Sequence, residues 1–207
     1  MHPGVLVYAL KALEQVSSDV ISSEKIKKAG DTIMGCAVVA AIAGVGSGWL
    51  PGAGALVAST TWIATIWGMY VKINKDLGIS IKDNVLKSLA SAILTNILAS
   101  AGSIVLMLIG SFLLSFIPGL GAVGAIAIDG IIGYITVFAS GVLYIKFLTK
   151  LFKAGNNLNI SEGDAKGLAK EIVEDSNISE ILKEGKKAFN DDKKAGKFKK
   201  PNELGIR

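Results

Sequence analysis

Charge is missing over long stretches of this chain. No Asp, Glu, Lys or Arg occurs in residues 32–71, none in 88–128, and none again in 130–145. The charged fraction is 19%, below the roughly one quarter usual in soluble domains. A run of about 18 or more uncharged apolar residues reads as a membrane span. Each of the first two runs is about twice that length, room for two passes or for one pass and a bend. Cysteine is nearly absent as well. Cys36 stands alone inside an apolar run, which excludes an intrachain disulfide and a Cys-rich metal site. The one histidine, His2, lies at the terminus. Neither His nor Cys adjoins the plentiful Ser and Thr to activate a nucleophile. No G-x-x-x-x-G-K-[ST] motif is present, so nothing cradles a nucleotide phosphate in the usual way. Met1-His2-Pro3-Gly4 lacks the positive region of a signal peptide, and Lys11, Glu14 and Asp19 interrupt the apolar residues after it. These absences lead to an expectation of no enzyme activity, no metal and no cofactor.

What is present is apolar and basic. Hydrophobic residues make up 51% of the 207 residues, and the net charge is +5. The positive balance reads as a solvated surface or as attraction to anionic lipid headgroups. Lys193, Lys194, Lys197, Lys199 and Lys200 cluster, but no folded nucleic-acid-binding motif surrounds them. Nucleic acid is therefore not expected as a partner.

Residues 5–28 predict an amphipathic helix, with Leu6, Leu10, Leu13, Val16 and Val20 on one face. Residues 33–48 are apolar and small. Pro51, Gly52 and Gly54 then mark a bend, and apolar character resumes over 55–71. A charged connector comes next, at 72–87. Within it Ser80 and Asp83 have the spacing of a capping box, which predicts a helix from Ile81 or Lys82 onward to Phe116. Pro118, Gly119 and Gly121 bend the chain again, and 122–152 predicts a fourth apolar helix. From Gly155 the composition turns polar. Asn177 with Glu180 predicts a cap opening a short helix, and the last fifteen or so residues read as disordered.

The two bends share one pattern, P-G-x-G-A, at 51–55 and 118–122. Each is flanked by apolar helices, so a helical hairpin occurs twice. The fold class expected is an all-α membrane protein of two apolar hairpins. It divides into an amphipathic helix (1–31), an embedded double hairpin (32–153) and a soluble charged tail (154–207). Lysines favour the cytoplasmic face. Both hairpins would enter from that side, with both termini cytoplasmic. Trp67, Tyr70 and Tyr144 beside Lys72 and Lys146 would form an interface belt there.

The repeated bend and its surroundings resemble a bacterial membrane domain of unknown function, the YcjF-like family. The closer match is Ile117-Pro118-Gly119-Leu120-Gly121-Ala122-Val123, then Asp129, then 136–141, then an aromatic helix ending in lysine. The first hairpin matches in Leu50-Pro51-Gly52, in Tyr70-Val71-Lys72-Ile73 and in Leu77-Gly78. The resemblance implies a bacterial inner-membrane location and association with Era-like or Ras-like GTPases. Two departures stand out. Residues 52–59 lack the acidic residue that often follows the first proline, and these 207 residues contain no GTPase motif, so a GTPase is expected as a separate chain.

Cost singles out the candidate functional residues. Asp129 is the one charge inside the long apolar region, where an ionised group is expensive unless paired or hydrated. It reads either as a pore-lining carboxylate or as a helix-end residue. Ser91, Thr95 and Asn96, with Thr136, are polar groups in apolar helices that need partners. They read as packing contacts first and pore lining second. Gly44 and Gly48 permit close helix approach, and with Ala37 and Ala41 they form a small-residue stripe. The leading expectation is a membrane scaffold or homo-oligomer working in the lipid bilayer with a cytosolic partner such as a GTPase. The alternative is a channel, toxin or cell-killing effector whose hairpins insert.

Overall fold

The computed structural model describes residues 2–47, 54–100, 121–155 and 158–198, with side chains at 2–43, 62–100, 130–155 and 158–198. Among these residues the fold is all-helical, with seven helices and no strand. The bend residues Pro51, Gly52, Pro118 and Gly119, together with Gly48 and the stretch leading to Phe116, lie outside the described residues.

The predicted N-terminal helix is two helices. Ser17, Ser18, Asp19, Ser22 and Ser23 are residues whose side chains compete for backbone hydrogen bonds. The Ser17 hydroxyl donates to the Leu13 carbonyl (2.8 Å), and the N–H groups of Val20 and Ile21 both donate to the Ser17 carbonyl. The chain therefore breaks between α1 (Gly4–Ser17) and α2 (Ser23–Ser47). Ile21 becomes buried while Val20, expected on the apolar face, is 59% exposed. Because α2 runs on to Ser47, the expected boundary at residues 31 and 32 falls inside one helix.

Helix α3 (Gly54–Leu77) also outruns its predicted end. Ile66, Met69, Tyr70, Ile73 and Leu77 keep helical spacing past Lys72, and all are buried. Gly78, at φ 74, closes it: Gly78 N–H donates to Lys75 O and Ile79 N–H to Asn74 O, a Schellman ending. The charged connector shrinks to residues 78–82. Helix α4 (Asp83–Ser100) starts slightly later than the Ser80 spacing predicts, with Leu86 N–H on the Lys82 carbonyl. Helix α5 is Gly121–Lys153, closed by Gly155 at φ 92.

The polar tail contains two full helices. Ser161 caps α6 (Glu162–Glu174) by accepting from Asp164 N–H, and Asn177 caps α7 (Ile178–Lys194) by accepting from Glu180 N–H. Helix α7 is much longer than the short helix predicted. It too ends in a Schellman motif, with Gly196 at φ 72 and Lys197 N–H returning to Asp192 O. That turn folds Phe198 back onto Phe189 and Tyr134. The described part of the expected disordered end is therefore packed, because an aromatic ring there has two others to bury against.

All six other helices pack against α5, and α2 does so most extensively. The two run antiparallel, with Ile33 beside Gly141 and Ala40 beside Gly133. These glycines are required by close approach. A Cβ on Gly141 would lie 2.6 Å from Ile33 Cγ2, and one on Gly133 would lie 3.0 Å from the Ala40 carbonyl oxygen. Ala37 and Ala41, expected in a small-residue stripe, are buried on the same helix. Gly44 falls within α2, and its surroundings lie outside the described side chains.

One stretch among the described residues, Gly130–Lys153, is long and apolar enough to cross a membrane, with a hydropathy of 1.8. Its most apolar window is 83% buried inside the protein, and the core helix of a soluble protein passes the same test.

Overpacking the α2–α5 seam costs about 1–3 kcal/mol. Gly141→Val is expected to lower stability by about that amount in detergent, followed by circular dichroism during denaturation. Gly35, with open space around its Cα, supplies the control: Gly35→Ala is expected to be neutral or stabilising by up to about 1 kcal/mol. Equal losses in both variants would show that the seam is not close-packed.

Candidate functional site: polar contacts along the central helix

Helix α5 is apolar enough that each polar group on it needs a partner from a neighbour. The ring of Tyr144 stacks on Tyr70 of α3, with centroids 4.0 Å apart and planes 12° from parallel. The Tyr144 hydroxyl donates to Asn74 Oδ1 at 2.5 Å, and the Tyr70 hydroxyl donates to the Ser140 carbonyl at 3.2 Å. Both tyrosines are fully buried. They stand inside the bundle rather than on the perimeter where a membrane-interface belt would lie. Ring stacking and a buried acceptor satisfy both ends of the side chain. Among the described residues, three buried side-chain atoms have no hydrogen-bond partner: Trp67 Nε1, Asn74 Nδ2 and Ser140 Oγ.

Two carboxylates clamp helices together. Asp76, at the end of α3, has a side chain only 6% exposed. It accepts from the Thr32 hydroxyl at 2.7 Å and pairs with Lys28 Nζ at 3.0 Å, both on α2. Burial raises the Asp76 pKa, but the Thr32 hydrogen bond and the Lys28 ammonium outweigh it and hold the carboxyl below its ordinary value. Asp192 on α7 accepts from the Tyr134 hydroxyl of α5 at 2.7 Å and pairs with Lys197 Nζ at 2.7 Å. Lys146 and Lys150 hold the other end of α5. Lys146 donates to Ser176 Oγ at 2.8 Å, and Lys150 pairs with Glu171 and Asp175. Lys146 is thus half-buried against the α6–α7 turn, while Lys72 is exposed.

The predicted polar residues of the apolar helices do not converge. Ser91 and Thr95 are exposed on α4. Asn96 is half-buried and donates to the Ala92 carbonyl of its own helix at 2.8 Å. Thr136 is buried on α5. Asp129 falls within α5, and its side chain lies outside those described. Gly54 and Gly121 open α3 and α5. Trp67 is partly buried, with Lys87 Nζ 4.6 Å from its ring centroid, a cation–π arrangement.

Sequence reasoning misses Asn74, Ser140, Asp76 and Asp192. A signal for Asn74 and Asp76 exists in the apolar period carried past Lys72 to Leu77, which brings the end of α3 into the protein. For Ser140 and Asp192 nothing local gives the partner.

Chemically, these contacts are fasteners. Each buried carboxylate is committed to a hydroxyl and a lysine. Among the described residues no group of three or more His, Cys, Asp or Glu is placed to hold a metal ion. A groove of about 680 Å³ between α1 and α7 is lined by His2, Tyr8, Lys11, Glu184, Lys187 and Asp191, among others. It presents charges of both signs. No protein-family model, no curated protein and no solved structure matches the chain.

Two outcomes test the fasteners. Tyr144→Phe strands a buried acceptor on Asn74 and is expected to cost about 1–3 kcal/mol. Asn74→Leu in the same chain is expected to cost less than the sum of the two single changes, by more than about 0.5 kcal/mol in a double-mutant cycle. Strict additivity would mean the two side chains are not coupled. The depressed Asp76 pKa gives stability that is present above the ordinary carboxylate value and lost as pH falls through the folded value. Denaturation in detergent should therefore show a loss of stability below about pH 4 that is smaller in Asp76→Asn. An unchanged acid limb in that variant would remove Asp76 from the acid response.

Proposed function

We propose that the chain is a membrane-embedded helical protein whose two apolar hairpins rise from a charged helical cap. It serves there as a scaffold or oligomeric platform for a cytosolic partner. The observation that carries this reading is where the charges stop. Helix α5 acts as the ruler. Lys146 and Lys150 meet α6 and α7 at one end, and Asp192 and Lys197 reach Tyr134. Beyond Tyr134, toward Gly121, α5 has the single charge Asp129. Helix α2 beyond residue 31 and α3 before residue 72 run alongside that same end and have no charge at all. Helix α4 turns back along α3, with Lys87 over Trp67, and is uncharged from Ser88 to Ser100. Val39 and Leu98, on these uncharged stretches, are 58% and 44% exposed. An uncharged end with apolar residues facing outward suits lipid, and a charged end suits water.

The resemblance to the YcjF-like domain supports a bacterial inner membrane and a GTPase as the partner class. The cap, built from α1, α6, α7 and the lower ends of the other helices, is the surface such a partner would meet.

A second reading rests on a different observation. The amphipathic helices α1, α6 and α7, together with α2, α3 and α4, already cover the most apolar helix, 83% buried over its best window. A pore-forming protein that is soluble until triggered needs such shielding.

Membranes from cells expressing the chain, washed with alkaline carbonate, separate the two. The scaffold reading expects the protein in the pellet until detergent is added, with no ion flux after reconstitution in liposomes and a GTPase recovered by pull-down. Recovery in the aqueous phase without detergent would sink the embedded scaffold. Flux through liposomes, lost in Asp129→Leu, would establish the pore instead.

A further inference from the structure

We infer that the last turn of α7 is a docking surface for anionic phospholipid headgroups. This rests on the membrane reading above and adds a contact that the hairpins do not make. Helix α7 runs antiparallel to α5: Ser176 lies by Lys146, Gly185 by Phe138, and Phe189 and Asp192 by Tyr134. Its C-terminal turn therefore sits beside the uncharged stretch 130–145 of α5, past Lys146, the first lysine of that helix in chain order. The apolar helix continues past that turn. From Gly130 back to Gly121 it rises about another 14 Å.

The turn itself is basic and exposed. Lys193 and Lys194 are exposed, and among the described residues neither side chain has an ion-pair partner. Lys197 stands beside them, 53% exposed. Of the nearby acids, Asp192 is buried and committed to Tyr134 and Lys197, leaving Asp191 as the one exposed acid in the last turn. The helix dipole favours one or two lysines at a C-terminus. It does not explain the contrast with α6. That helix carries Glu162, Asp164, Glu171 and Glu174 against Lys166 and Lys170, and it packs on the lower end of α4 and on Lys150. The acid-rich α6 thus lies toward the charged end, and the last turn of α7, with Asp191 beside its exposed lysines, lies toward the uncharged one. A bilayer with a negative surface attracts such a cluster, at about fivefold in binding per lysine near the surface. The Tyr134–Asp192–Lys197 contacts and the Phe198–Phe189 stack fix the turn against α5, so the lysines are held in place.

The test uses the full chain in lipid nanodiscs of phosphatidylcholine, and in matched discs with phosphatidylglycerol replacing about a third of the lipid. A water-soluble amine-acylating reagent is added, and each lysine is followed by mass spectrometry. Lys193 and Lys194 are expected to react about fivefold more slowly in the anionic discs. Lys166 and Lys170 on α6 should be unchanged, and the difference should vanish at about 1 M salt, where screening is nearly complete. Equal rates at Lys193 and Lys194 in both discs would overturn the inference while leaving the embedded hairpins intact. Equal slowing at Lys166 and Lys170 would overturn it too, because the effect would then be a general surface potential. A chain that does not co-purify with discs at all would overturn the membrane reading and this contact with it, and co-purification is scored before labelling.

Discussion

A helix that is apolar on every side leaves no face for water, so something must cover each of its faces. Over residues 134–152 of α5, Tyr134, Phe138, Val142, Tyr144, Phe147 and Leu151 point in different directions, and all are buried. Each fully buried side chain of this kind is worth about 1.5–3 kcal/mol relative to exposure. The six other helices are arranged to supply that cover. Helix α2 comes closest because Gly133 and Gly141 remove side chains from the seam. The amphipathic α1, α6 and α7 close the remaining sides and turn their charges outward, except Asp192, which meets Tyr134.

Enclosure creates a second demand. Tyrosine, serine and lysine on α5 lose water when they are covered, and an unpaired buried polar group is costly. The pairs Tyr144–Asn74, Tyr70–Ser140 and Tyr134–Asp192 meet that demand for the tyrosines. Lys146 and Lys150 reach Ser176 and the acids of α6. The same contacts set the register of the covering helices, since each hydroxyl has one acceptor at one height. Structure and polarity thus align: the fastened end is the charged end, and the uncharged ends of α2, α3, α4 and α5 extend together from it.

Much of this is legible locally. The uncharged runs, the cap at Asn177 and the stop at Gly155 are short-range signals, and each corresponds to a feature of the fold. The helix Glu162–Glu174 is equally legible, from Ser161 and Asp164 and from Ala165, Leu168, Ala169, Ile172 and Val173, but the polar composition of the tail hides it. The division at Ser17–Ser23 is obscured because Val16 and Val20 keep the apolar spacing across the break. Ser91 and Thr95 show the limit of periodicity. Spacing of four places them on one face, yet it does not say whether that face meets a helix or the outside, and here they are exposed.

By itself the sequence determined that the chain is helical, where its charge is absent, and which residues end several helices, because propensity, period and capping act within a few positions. Only the tertiary structure decided which faces meet. Tyr144 and its acceptor Asn74 are 70 residues apart, and Tyr134 and Asp192 are 58 apart. No local preference of either partner specifies the other. Their pairing follows from burying α5 on all sides at once, a condition that belongs to the whole bundle.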